Sequence, residues 1–72
     1  MKTTNYNGHE FLIENNEGRV TVKQRNVNFP AMGAEWQTVG RCKIENGEIA
    51  NRSGMLAMDD CAELEAKIIA LA

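Results

Sequence analysis

Three side chains in this 72-residue chain, His9, Cys42 and Cys61, are of the kind that bind soft metals or act as nucleophiles. Their spacing suits neither use. A structural zinc takes four ligands, commonly in closely spaced Cys or His pairs, and no such pair occurs. A cysteine nucleophile needs an exposed thiolate beside a base, and nothing in the sequence brings His9 to either cysteine. Cys42 falls in an alternating run and Cys61 on an apolar helical stripe, so both read as small buried apolar residues. There is no Gly-rich phosphate loop, no Gly-x-Ser-x-Gly, and no pair of carboxylates in contrasting surroundings. The adjacent Asp59 and Asp60 stand where a helix begins, a place that favours acids for electrostatic reasons alone. The sequence therefore points to a non-enzymatic protein that needs no metal and no cofactor.

The remaining chemistry is charge. Eight basic residues against ten acidic ones give a net charge of −2, which disfavours a coat for nucleic acid. Apolar residues at 43% and charged residues at 25% are the proportions of an ordinary soluble domain. A chain this short buries only about 60% of its unfolded surface, so a single domain over 1–72 with a small core is expected. The opening MKTTNYNGHE has no apolar run. It reads as a flexible lead-in over 1–8, with a cytoplasmic setting and reduced thiols as the expectation. Asn51-Arg52-Ser53 fits the glycosylation pattern, but that modification needs a secretory route.

The elements that position these charges follow from periodicity. HEFLIEN alternates, with Phe11 and Ile13 on one side. Asn15 to Gly18 supplies turn chemistry, and RVTVKQR then places Val20 and Val22 inward. Residues 26–34, with Pro30 and Gly33, read as a loop whose Phe29 to Met32 fold under the sheet. A strand over 35–45 is predicted with Trp36, Thr38, Gly40, Cys42 and Ile44 facing the core and Gln37, Val39, Arg41 and Lys43 facing out, Gly40 marking a candidate bulge. Asn46-Gly47 is the preferred pair for a type I′ hairpin, which sets Glu45 opposite Glu48 and Ile44 opposite Ile49, and by continuation Arg41 opposite Arg52. IENNEG and IENGE are thus the same hairpin solution used twice. MLAM extends or ends the fourth strand. Asp60 with Glu63 resembles a capping box, and Cys61, Leu64, Ile68 and Leu71 form the stripe of a terminal helix. The predicted fold is a two-layer α+β domain, an antiparallel sheet of three to four strands (β-β-β-β-α) with one C-terminal helix on one face.

That arrangement leaves the other face open for binding. It would carry Arg19, Lys23, Arg25, Arg41, Lys43 and Arg52 among Glu10, Glu14, Glu45 and Glu48, around an apolar centre of Leu12 and Val39. The residues expected to meet a partner are Leu12, Lys23, Val39, Arg41, Lys43 and Arg52. A protein partner is favoured, and a symmetric dimer would suit the same face. Small acidic chains without catalytic signatures resemble the inhibitors and accessory factors of bacteriophages and other mobile elements. In layout the fold is also similar to the small DNA-binding domains of some integrases, which implies nucleic acid as the alternative partner. The predicted inward placing of Phe11 and Trp36 leaves no aromatic platform for bases, and the helix region is acidic. No membrane span is predicted.

Overall fold

Three dipeptides ending in glycine fold the chain into hairpins. At Asn7-Gly8, Glu17-Gly18 and Asn46-Gly47 both residues have positive φ, at 51° and 77°, 55° and 85°, and 53° and 76°. That is the type I′ turn, whose twist matches that of the flanking strands. Glutamate is an unusual first residue there, and the Asn15 Oδ1 steadies the turn by accepting the Gly18 N–H at 2.9 Å.

The computed structural model describes residues 2–26, 35–58 and 60–71; the expected roles of Phe29 to Met32 in the core and of Asp59 at the helix start lie outside them. Five strands, β1 (Lys2–Tyr6), β2 (His9–Asn16), β3 (Arg19–Arg25), β4 (Trp36–Glu45) and β5 (Glu48–Gly54), form one antiparallel meander in chain order. The sheet is one strand larger than the expected three to four. β1 lies in the stretch expected to be a flexible lead-in; its polar KTTNY lacks the apolar alternation that marks a half-buried strand. MLAM leaves the sheet as α1 (Met55–Met58), a single helical turn, and α2 (Ala62–Leu71) follows.

The core lies between the sheet and the two helices. Phe11, Ile13, Val20, Val22, Cys42 and Ile49 meet Leu56, Cys61, Leu64 and Ile68, with Ile44 and Leu71 packed at the margin. The apolar stripe of the terminal helix is thus where its spacing put it. The first helical hydrogen bond runs from the Glu65 N–H to the Cys61 carbonyl, so Asp60 stands one residue outside the helix, its Oδ1 accepting the Ala62 N–H at 3.4 Å.

Two bulges interrupt the ladders of β4. Against β3, Val22 pairs with Gly40 and Lys23 with Thr38, which leaves Val39 as an extra residue. Against β5, Arg41 pairs with Ser53 and Lys43 with Ala50, so Asn51 and Arg52 together oppose Cys42. Each bulge reverses which way the chain beyond it faces. Glycine makes the crowded junction between them feasible. A Cβ on Gly40 would lie 3.0 Å from the Ser53 carbonyl oxygen and 3.3 Å from Leu56 Cγ. One on Gly54, at φ 65°, would lie 2.5 Å from the Val39 carbonyl oxygen.

Gly54 and Gly8 separate these costs, because a Cβ on Gly8 would meet open space at a similar φ of 77°. Gly8→Ala is expected to cost about 1–2 kcal/mol, the penalty of a left-handed alanine. Gly54→Ala should cost about 1–3 kcal/mol more because of the added overlap. Urea unfolding of the two variants measures the difference, and equal losses would contradict the close approach of Gly54 to β4.

Candidate functional site

The sheet face turned away from the helices is read off the register row by row. Arg25 lies opposite Trp36 and beside Glu10 of β2. Its Nε donates to Glu10 Oε1 and its Nη1 to Glu35 Oε1, both at 2.6 Å, while its Cζ sits 4.6 Å from the Trp36 ring centroid. These two carboxylates hold the guanidinium above its ordinary pKa, against a smaller opposing effect of desolvation. The next row is Thr3, Leu12, Lys23 and Thr38, and Lys23 reaches Glu14 at 2.8 Å. Glu14, Thr21, Arg41 and Ser53 follow, then Asn16, Arg19, Lys43 and Ala50.

Of the six residues expected to bind a partner, Leu12, Lys23, Arg41 and Lys43 share this face. Val39 and Arg52 do not. Val39 is the extra residue of the first bulge and packs against the core. The same bulge moves Trp36 from its expected core position to the outer face, where Arg25 covers it. The second bulge turns Arg52 to the helix side, where its Nε and Nη2 donate to Glu65 Oε2 and Oε1 at 2.7 and 3.0 Å. Arg41 therefore faces Ser53 in place of Arg52. Leu12 is only 5% exposed, so it offers little surface to a partner.

What remains is a cluster of three cations. Arg19 and Arg41 are exposed and Lys43 is half-buried. Arg19 and Lys43 are direct cross-strand partners, and Arg41 lies two residues along β4 from Lys43. Like charges placed directly opposite are destabilising. Among the described residues Lys23, Arg25 and Arg52 each have a carboxylate partner, while none of these three forms an ion pair. With Asn16, Thr21 and Asn51 they line a concavity of about 450 Å³. Asn51, held at φ 50° by the bulge, and Asn16 add amide donors to it.

No family model, curated protein or solved structure matches this chain.

Of the residues with nucleophilic potential, Cys42 also lines this concavity, whereas Cys61 and His9 do not. Cys42 and Cys61 are both buried thiols, and burial pushes the Cys42 thiol up, which disfavours the thiolate. Cys61 directs its Sγ at the Met55 carbonyl oxygen, 3.9 Å away. The His9 Nδ1 meets the Gln24 side-chain amide at 3.2 Å, at the start of β2 and the end of β3. No group of three His, Cys, Asp or Glu side chains suited to a metal occurs among the described residues. The basic cluster can hold an anion by charge and hydrogen bonds. Arg19 was legible as a face residue, but its place against Lys43 depends on the β3–β4 register, which no short turn defines.

The Arg52–Glu65 pair should be visible in acid. Hydrogen bonds from Arg52 hold the Glu65 carboxyl below its usual range, with desolvation opposing and the guanidinium charge assisting. A group whose folded pKa is depressed contributes stability above its unfolded pKa and loses it as pH falls through the folded value. Urea midpoints are therefore expected to drop below about pH 4.3, the ordinary glutamate value, by a larger margin in the native chain than in Glu65→Gln. An identical acid dependence in the two proteins would contradict the pairing.

Proposed function

We propose that this chain is a non-enzymatic binding module that holds an acidic segment of a protein partner at Arg19, Arg41 and Lys43. The observation that supports the reading is the division of the cations. The helix-facing and upper-sheet arginines are neutralised within the chain, whereas these three stand together and form no ion pair among the described residues, two of them directly opposed. An arrangement that costs the free protein stability is relieved when an anion arrives. Two cations on alternate residues of β4 are about 6.6 Å apart along the strand, the spacing of alternate side chains in an extended acidic peptide. A partner that presents such a segment at its own functional site would be blocked by the contact, in keeping with an inhibitor or accessory factor.

Nucleic acid is the second reading, and one observation favours it: Trp36 shares the outer face. Its ring is half-buried and lies against Arg25, which leaves less of it for base stacking, and the chain carries net charge −2. Affinity capture with the native chain, with and without nuclease, distinguishes the two. A defined protein partner that survives nuclease and is lost at least tenfold with Arg41→Glu plus Lys43→Glu is the expected result. Capture abolished by nuclease, together with oligonucleotide binding that falls steeply with salt, would establish the second reading instead. Undiminished capture by the charge-reversed variant would exclude the basic cluster from either.

A further inference from the structure

The two edges of the sheet are unlike. β5 is interrupted: Asn51 and Arg52 bulge opposite Cys42, Asn51 and Gly54 both take positive φ, and Glu48 and Arg52 add charge. Such bulges and charges keep a sheet edge from pairing with another chain. β1 carries none of them beyond Lys2 at its start. It pairs with β2 through five consecutive residues without a register shift, and among the described residues its other side has no neighbouring strand. Among the described residues no backbone hydrogen bond outside the ladders reaches it. Thr3, Thr4 and Tyr6 favour strands, and the segment has no proline and no acid. Its outward peptide groups are a template for one more strand.

The sequence KTTNY is suited to pair with itself. In an antiparallel pairing about a two-fold axis through Thr4, Lys2 lies opposite Tyr6 of the second copy, Thr3 opposite Asn5, and Thr4 opposite Thr4. No like charges meet in this register. Thr–Thr pairs across strands are favourable, and a lysine over a tyrosine ring gains a cation–π contact. The register also keeps the faces in order. Lys2, Thr4 and Tyr6 share the helix side with their β2 partners Ile13, Phe11 and His9, and each meets a residue of the same side in the copy.

We propose that a second copy of this chain adds to β1, giving a two-fold dimer with one continuous sheet of twice five strands. This surface is separate from the basic cluster, which lies on β3 and β4. A ladder of five residues buries little area, so the association is weak and concentration-dependent. It doubles the basic cluster on one open face and so raises the avidity for a repeated partner.

Sedimentation equilibrium with charge-swapped chains tests the register. Thr3 and Asn5 are exposed on the face away from the helices, so both can be replaced without touching the core. Thr3→Lys with Asn5→Lys sets like charges opposite one another at both crossings, and the dimer should weaken at least tenfold. Thr3→Lys with Asn5→Glu sets opposite charges there and should restore it, while thermal unfolding reports whether each monomer is intact. A native chain that stays monomeric up to about 1 mM overturns the proposal. So does a dimer indifferent to the first pair of substitutions, or one that the second pair does not restore.

Discussion

The arrangement of charge on this protein depends on one surplus residue. Val39 has no partner in β3, and because side chains alternate along a strand, its insertion exchanges the two faces of everything before it in β4. Trp36 and Thr38 go outward and Gly40 and Cys42 inward. Without the bulge Trp36 would lie among the core side chains and Arg25 would lose the ring that supports it. The bulged segment also brings Gly40 under Leu56, which lets α1 leave the sheet at Gly54 and lie against the strands. The second bulge, at Asn51 and Arg52, aims an arginine at the acidic first turn of α2, where charge pairing fixes the helix to the sheet.

The bulges thereby sort the basic residues. Arg25 and Arg52 become structural, each with its carboxylates; exposed pairs of this kind contribute little energy individually, but they leave no free charge. Arg19, Arg41 and Lys43 gather around the second interruption, where the register sets cations near one another; Glu14, in the same row as Arg41, is taken up by Lys23. Glu45 and Glu48 share the far end of the face and limit how long an anionic ligand can be. A small domain thus concentrates an attractive field in one concavity although its net charge is negative.

Much of this was legible in the sequence, for identifiable reasons. Asn46-Gly47 fixes its hairpin locally, so the pairs from Glu45 to Lys43 come out as expected. Phe11, Ile13, Val20 and Val22 are core residues because two-residue alternation survives wherever the ladder is regular. The helix stripe of Leu64, Ile68 and Leu71 has its own period. Errors begin where alternation breaks. A bulge looks in sequence like one more alternating residue, so alternation puts Trp36, Val39 and Arg52 each on the wrong side. Gly40 hinted at the irregularity without revealing its direction. β1 is hidden in the sequence although Asn7-Gly8 carries the same turn signal as Asn46-Gly47, because a polar strand on an edge needs no apolar face. α1 is not legible because MLAM is too short to show any period. No helix among the described residues is long and apolar enough to cross a membrane.

The placement of Trp36 tests this account most directly, since both the core and the charged face follow from it. Nuclear Overhauser contacts to its indole protons measure that placement in solution. Contacts to the Arg25 methylenes, with Arg25 signals shifted upfield by the ring, together with contacts from the Val39 methyls to the core, are the expected result. Contacts from the Trp36 indole to Leu64 and Ile68 would show an unbroken strand with its faces exchanged, and the account would be wrong.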